Sequence, residues 1–116
     1  AIESFKKAVN LKPDYTEAFY SLGASYHEIG KLEETIKCYK RVIEHKPDFT
    51  GMHNNLGNVF KSMGKNDAAV ECYQKAITIN PNFAQAHSNL GNVLKDLKQF
   101  AAAIKSYKNS IKIVQS

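Results

Sequence analysis

Apolar side chains recur along this chain at a helical period, in segments that glycine and proline separate. Two consecutive segments carry apolar residues at spacings of one, three and four, namely Leu56, Val59, Phe60, Met63, then Ala69, Tyr73, Ala76 and Ile77. This spacing places the side chains of each segment on one face of a helix. The pattern therefore predicts a pair of amphipathic helices, and the neighbouring segments predict further pairs.

The prolines reveal an internal repeat. Pro13, Pro47 and Pro81 each stand 34 residues after the last, and the segments before them align without gaps. A fixed period of this length is typical of a stacked array of similar units. The predicted division is a lone second helix in residues 1–15, followed by units at 16–49, 50–83 and 84–116.

Residues at the segment ends predict where the helices stop and start. Gly30 and Gly64 fall where a first helix should end in a left-handed residue, and each proline should end a second helix. In the third unit Lys98 replaces the turn glycine. The predicted capping residues are Asp14, Asp48 and Asn82, with Glu17 and Gln85 completing capping boxes.

The aligned units resemble the tetratricopeptide repeat family. The matching residues are Phe19, Leu22, Gly23, Tyr26, Tyr39 and Pro47, then Leu56, Gly57, Phe60, Ala69, Tyr73, Ala76 and Pro81, then Leu90, Gly91, Leu94, Ala103 and Tyr107. Departures are His53 and His87 in place of tryptophan, Thr35 in place of alanine, and Ser110 and Gln115 late in the last unit. The resemblance implies an all-α fold, a right-handed superhelical solenoid of antiparallel helix pairs with three units and an N-terminal half unit.

Asparagines stand out on the first helices of the last two units. If Leu56, Phe60 and Met63 are buried, the polar residues between them should lie on the opposite side. In a tetratricopeptide array the first helices line a concave groove, and amide side chains there can hold the backbone of an extended peptide. The predicted groove residues are Asn54, Asn55, Asn58, Lys61, Asn89, Asn92 and Lys95, with Tyr20 from the first unit.

The segment SNLGNVLK, residues 88–95, resembles more narrowly the arrays of O-linked N-acetylglucosamine transferases and related bacterial proteins, where groove asparagines form a ladder. Asn55 and Asn89 match the ladder position, and Ser21 breaks it. The alternative interpretation is that these asparagines are merely solvated or bond to the neighbouring repeat. Asparagine is a poorer helix former than alanine by roughly 0.5 kcal/mol, so its recurrence at one register favours a function.

Composition narrows the class of protein. The 116 residues are 43% hydrophobic and 23% charged, and the chain has neither a transmembrane run nor a signal-peptide pattern at its start. The formal net charge of +5 comes from the second half: residues 1–58 hold eight basic and eight acidic side chains, whereas 59–116 hold eight and three. With two cysteines, a reducing compartment is expected, and we predict a cytoplasmic protein.

Other candidate chemistry is weak. Cys38 and Cys72 share a register, as do His53 and His87, and members of each pair should be a full repeat apart, so we expect neither a disulfide nor a metal site. No catalytic constellation or phosphate loop occurs, and no catalytic residue, metal or cofactor is predicted.

Three functional classes remain. The leading prediction is a protein-interaction scaffold whose groove binds an extended segment of a partner protein. The alternatives are a substrate-recognition arm of a larger glycosyltransferase-like enzyme and, less favoured, an RNA-binding helical repeat. A carboxylate-clamp role is disfavoured because Tyr20 and Asn54 stand where it needs lysine. Uncovered apolar residues near the ends also predict end-to-end self-association, namely Phe5, Ile104, Ile111 and Val114.

Overall fold

A computed structural model describes residues 2–11 and 16–116, without the side chains of residues 5 and 8–11. The described residues form seven helices and no strand: α1 (Ile2–Leu11), α2 (Thr16–Glu28), α3 (Leu32–His45), α4 (Thr50–Ser62), α5 (Asn66–Ile79), α6 (Ala84–Asp96) and α7 (Phe100–Gln115). The all-α class of the prediction is confirmed. Predictions that involve Pro13, Asp14 and the side chain of Phe5 lie outside the described residues.

The first compact unit comprises residues 1–52. Within it α2 packs against both α1 and α3. Leu22, Tyr26 and Cys38 form its buried cluster, and Ile2 packs against that cluster. A Cβ atom built on Gly23 would lie 2.8 Å from Cε1 of Tyr39, so glycine is required where α2 and α3 meet.

The second compact unit comprises residues 53–116, with most of α4 and all of α5, α6 and α7. Its core joins α5, α6 and α7 through Ala69, Tyr73, Leu90, Val93, Leu94 and Ala103. Partly buried apolar residues from α4, α5, α7 and the turn after α6 pack around this cluster, namely Phe60, Val70, Ile77, Tyr107 and Leu97. The apolar stripe predicted for the second helix of this unit, from Ala69 to Ile77, thus lies in or against the core.

The turns inside the helix pairs have the predicted left-handed residue. Gly30 has a φ of 80° and Gly64 a φ of 75°. In the third pair Lys98 adopts the same conformation, with a φ of 63°, although it carries a side chain. This is the turn at which the sequence has no glycine. The left-handed backbone of the other two turns is conserved here, and Lys98 is strained because it has a Cβ atom.

The predicted cap at Asn82 is wrong. Helix α6 begins at Ala84, its N-cap residue is Phe83, and no side chain caps it. The backbone N–H of Asn82 instead donates a 3.1 Å hydrogen bond to Oδ1 of Asn80. Because the helix begins one residue later than a cap at Asn82 requires, Gln85 also falls one position short of the capping-box register.

Candidate functional site

The predicted asparagines of the second unit lie on α4 and α6, and one of them is placed differently from the prediction. Asn55 and Asn58 on α4 and Asn89 and Asn92 on α6 are all half-buried. Asn54 was predicted on the side away from the core, yet it is only 4% exposed. This is a correction: a helix inside a repeat array meets more than one neighbour, so a polar residue beside the main apolar stripe can also be buried.

A polar partner offsets the cost of burying the Asn54 amide. Nδ2 of Asn89 donates a 3.0 Å hydrogen bond to Oδ1 of Asn54, which joins α4 to α6. A buried amide without such a partner would be costly. The interpretation that asparagines bond to the neighbouring repeat therefore applies to Asn54 and to one donor of Asn89.

Asn58 and Asn92 are each held by a tyrosine of the following helix. The Tyr73 hydroxyl donates to Oδ1 of Asn58 at 2.5 Å, and the Tyr107 hydroxyl donates to Oδ1 of Asn92 at 2.6 Å. Both contacts use the amide oxygen, and within the described residues neither Nδ2 donates a hydrogen bond. The same tyrosine–asparagine hydrogen bond thus occurs in two successive repeat units.

A glycine before each asparagine allows the tyrosine to approach closely enough for this hydrogen bond. A Cβ atom built on Gly57 would lie 2.6 Å from Cε1 of Tyr73, and the same atom on Gly91 would lie 2.7 Å from Cε1 of Tyr107. The tyrosine ring thus fits against bare backbone one residue before the asparagine. Tyr73 is fully buried, and burial first and the neighbouring Cys72 second raise the pKa of its hydroxyl to about 12, so that it stays a donor at neutral pH.

These tyrosine contacts were missed at the sequence level. The signal was present: each Leu-Gly-Asn triplet, at residues 56–58 and 90–92, precedes by 15 residues a tyrosine of the following helix. The first unit has Ala24 at the corresponding position, so its Tyr39 has no amide of this kind.

The candidate binding surface consists of a row of amides and two lysines. Within the described part of the chain, the Asn55 side chain makes no hydrogen bond. Lys61 follows Asn58 by one helical turn and is half-buried, and Lys95 stands at the same register on α6 and is exposed. The row combines amide donors, amide acceptors and positive charge.

Tyr20 belongs to the first unit, where it forms part of an aromatic cluster. Its ring lies 6.2 Å from that of Tyr39, and it stacks on Phe49 at 6.2 Å with 12° between the ring planes. Tyr20 and Phe49 are each about a third exposed and border a cavity of about 360 Å³. The residues that share this border are Thr16, Glu17, Ser21, Val42 and Lys46.

The cysteines and histidines occupy packed positions. Cys38 is buried and Cys72 half-buried, and both are thiols. His87 is buried with its Nε2 2.8 Å from the carbonyl oxygen of Pro81, and His53 is buried on α4. Across residues 2–11 and 16–116, no three histidine, cysteine or acidic side chains are grouped as a metal site would need.

Among the described helices, none combines the length and the apolar character needed to cross a bilayer.

Sequence-profile comparison matches residues 1–113 of the chain to one kind of repeat. A family model described as TPR repeat matches residues 1–30, 23–64 and 57–98. A second, described as Tetratricopeptide repeat, matches residues 84–113. No curated protein sequence matches the chain.

Solved structures titled MamA are similar to this chain. One, "Crystal structure of MamA", has 32% identity and a TM-score of 0.95, and the match covers 98% of this chain and 67% of that one. A second, "Crystal structure of MamA protein", has 32% identity and a TM-score of 0.93, with 98% and 62% covered. The MamA fragment from Desulfovibrio magneticus RS-1 shares the fold at 19% identity, with a TM-score of 0.91, covering 98% of this chain and 64% of that one.

The chain thus spans about two thirds of the length of these proteins. The comparisons support the repeat family and do not support the narrower resemblance to O-linked N-acetylglucosamine transferases.

Proposed function

This chain belongs to the tetratricopeptide repeat family, and we propose that it is a protein-interaction scaffold that holds an extended segment of a partner protein. The proposed binding surface is the row formed by Asn55, Asn58, Asn89 and Asn92 on α4 and α6. The observation that carries the proposal is the half-buried Asn55 amide, which has no hydrogen-bond partner in the described chain. The proposal treats this part of the chain as a binding module without catalysis.

Backbone recognition follows from the chemistry of the amides. Each amide carries two donors and an acceptor, which match the alternating carbonyl and N–H groups of an extended peptide. Asn55 offers all of these groups, whereas Asn89 has given one donor to Asn54. Asn58 and Asn92 have given their acceptor to a tyrosine, so they would bind peptide carbonyls through Nδ2.

The two tyrosines make this surface more effective. A side chain that is already held in one orientation loses less conformational entropy when a ligand binds. Because Tyr73 and Tyr107 fix Asn58 and Asn92, these amides would be arranged before the peptide arrives. Lys61 and Lys95 lie next along the helices and would favour acidic side chains in the bound segment.

A single substitution at Asn55 tests the proposal. We expect Asn55→Ala to weaken binding of a panel of unstructured peptides about three- to tenfold, since a hydrogen bond is worth about 0.5 to 1.5 kcal/mol. Fluorescence anisotropy would measure affinity, and thermal unfolding should show unchanged or slightly higher stability because alanine is the better helix former. Asn109→Ala, at an exposed asparagine of α7, is the matched control and should give the same unchanged or slightly higher stability without weakening peptide binding.

The peptide panel separates backbone from side-chain recognition. Asn55→Ala should weaken all members similarly, because backbone groups are common to them, while Lys61→Glu should penalise only the acidic peptides. Wild-type affinity of Asn55→Ala for every peptide would refute the proposed surface.

A further inference from the structure

The first unit contains a cavity that the proposed function does not use. Its volume is about 360 Å³, which lies within the range of ligand sites. Every residue that lines it belongs to residues 1–52, from α2, α3 and the turn after α3. Val42 is fully buried beside it, whereas Tyr20 and Phe49 are each about a third exposed. The first unit therefore forms this cavity by itself.

The corresponding place in the last helix pair is closed by hydrogen bonds. Two periods of 34 residues after the cavity residues Thr16, Tyr20 and Val42 stand Ala84, Ser88 and Ser110. The Ser110 hydroxyl lies 2.6 Å from that of Ser88 and donates a 3.1 Å hydrogen bond to the carbonyl oxygen of Ala84. Valine at position 42 can make no such bond. The first pair thus has a cavity where the last pair has side-chain hydrogen bonds between its two helices.

Aromatic rings form one side of the cavity. The Tyr20 ring lies 6.2 Å from the Tyr39 ring, and it stacks on Phe49 at 6.2 Å with 12° between the ring planes. The second and third units have Asn54 and Ser88 in place of Tyr20, so the cluster is specific to the first unit. Ring pairs with centroids about 4.5 to 7 Å apart attract beyond the area that they bury. A further ring in the cavity would extend this series of contacts, and the cavity therefore favours a ring over an aliphatic side chain.

Polar groups at the border determine which ring fits. Thr16 and Ser21 contribute hydroxyl groups, while Lys46 contributes an ammonium group and Glu17 a carboxylate. The two formal charges cancel, so the border as a whole favours a neutral occupant. It also holds both hydrogen-bond donors and acceptors, which a phenol hydroxyl or an indole N–H needs when its ring is buried. A neutral ring with a polar edge, as in tyrosine or tryptophan, therefore matches the cavity.

We propose that this cavity binds a tyrosine or tryptophan side chain of a partner protein. The proposal goes beyond the amide row on α4 and α6, because it concerns another part of the chain and a side chain rather than a peptide backbone.

The exposure of the border favours a protein side chain over a free small molecule. Glu17 and Lys46 are exposed, and both rings of the border remain about a third exposed. A site that holds a free small ligand usually buries most of the ligand's surface. An open cavity buries less, so a free amino acid would gain little there, whereas a side chain presented by a protein is supported by the contacts of the residues around it.

The test uses three unstructured peptides that differ at one position. They are rich in glycine and serine and carry tryptophan, leucine or alanine at the centre, with a terminal dye for fluorescence anisotropy. We expect the tryptophan peptide to bind at least about tenfold more tightly than the alanine peptide and about two- to tenfold more tightly than the leucine peptide. The chain contains no tryptophan, so a shift in the peptide's tryptophan emission would report burial of the ring without background.

Two variants locate the site. Tyr20→Ser introduces the residue that the third unit has at this register, and it should remove the advantage of the tryptophan peptide with an unchanged circular dichroism spectrum. Phe49→Ala should reduce the same advantage from the other ring. Ile29→Ala, which removes another exposed apolar side chain of this unit, is the matched control and should leave the advantage as it was. Asn55→Ala should lower the affinity for all three peptides alike if the proposed function holds, and should preserve the preference for tryptophan in either case.

Four results would overturn the proposal. Two are equal binding of the tryptophan and alanine peptides, and a preference that survives both Tyr20→Ser and Phe49→Ala. A third is binding of free tryptophan as tightly as the tryptophan peptide, which would make a small aromatic molecule the occupant. The last is a dimer of the chain in light scattering that Tyr20→Ser dissociates, which would make a second copy the occupant.

Discussion

The Tyr73 hydroxyl donates a 2.5 Å hydrogen bond to Oδ1 of Asn58, and so a buried residue of α5 sets the orientation of an amide on the proposed binding surface of α4. Tyr107 does the same for Asn92 one repeat later. The tyrosines that the family pattern explains by packing therefore also position polar groups that would contact a ligand. Each tyrosine side chain therefore has two roles, one in packing and one in orienting an amide of the proposed binding surface.

Removing the Tyr73 hydroxyl should lower both stability and binding. In Tyr73→Phe the ring remains against Gly57, but Oδ1 of Asn58 loses its donor, and we expect the free energy of unfolding to fall by about 1 to 3 kcal/mol. Peptide affinity should also fall, because the Asn58 amide is no longer held. Denaturant unfolding and fluorescence anisotropy measure the two effects.

Tyr39→Phe is the matched control for that prediction. Tyr39 packs against Gly23 in the same way, but Ala24 stands where the second unit has Asn58. The control should therefore cost less stability than Tyr73→Phe. Equal losses at both positions would show that the Tyr73–Asn58 hydrogen bond contributes nothing measurable.

A double-mutant cycle should detect the hydrogen bond between Asn54 and Asn89. We expect the single changes to alanine to be non-additive, with a coupling of about 0.5 to 1.5 kcal/mol in the free energy of unfolding. Asn89→Ala should also destabilise more than Asn55→Ala, although both stand at one register, because only Asn89 bonds to a buried partner. The same cycle on Asn55 and Asn89 serves as the reference and should give additive effects.

Periodicity in the sequence was sufficient to predict the helical class, the turns at Gly30 and Gly64, and a core built on residues such as Tyr73. These features depend on local backbone preference and on which face of a helix is apolar. The burial of Asn54 was not predictable in this way, since it depends on a partner 35 residues away on another helix.

The wrong prediction of a cap at Asn82 has a different cause. A cap prediction from sequence places a polar side chain near a helix start, but a shift of one residue in that start removes the hydrogen bond. Helix α6 begins one residue later than predicted, and its N-cap residue is the apolar Phe83. Residue type alone does not fix the position of a helix end to one residue.

Lys98→Gly should stabilise the chain. Lys98 has a φ of 63°, a conformation that costs a residue with a Cβ atom about 1 to 2 kcal/mol and costs glycine little. Part of this gain is lost because glycine has more freedom in the unfolded chain, so we expect a net increase of about 0.5 to 1 kcal/mol in the free energy of unfolding. Denaturant unfolding measures it.

Gly64→Ala is the reverse experiment at the equivalent turn. Gly64 has a φ of 75°, and a Cβ atom added there would have no neighbouring atom within 4 Å, so only backbone strain opposes alanine. We expect a loss of about 1 kcal/mol. A loss on Lys98→Gly would mean that lysine side-chain contacts outweigh the strain of its backbone.

Alkaline pH should destabilise the fold through Cys38. Burial first and the Glu34 charge second raise the pKa of this thiol from 9.0 to about 11. Between these values the unfolded chain releases the thiol proton while the folded chain retains it, so the free energy of unfolding falls as the pH rises through that window. The stabilisation that the neutral thiol provides is fully present below pH 9.

Cys38→Ala isolates this contribution. The variant should be less stable than the parent at neutral pH, because it leaves a small cavity beside Leu22 and Tyr26, but its stability should fall less steeply between pH 9 and 11. All other ionisable groups are common to the two proteins, so their effect cancels in the comparison. Urea unfolding at a series of pH values, with reductant present, gives the two slopes. Parallel slopes would mean that the Cys38 thiol ionises as readily in the folded chain as in the unfolded one.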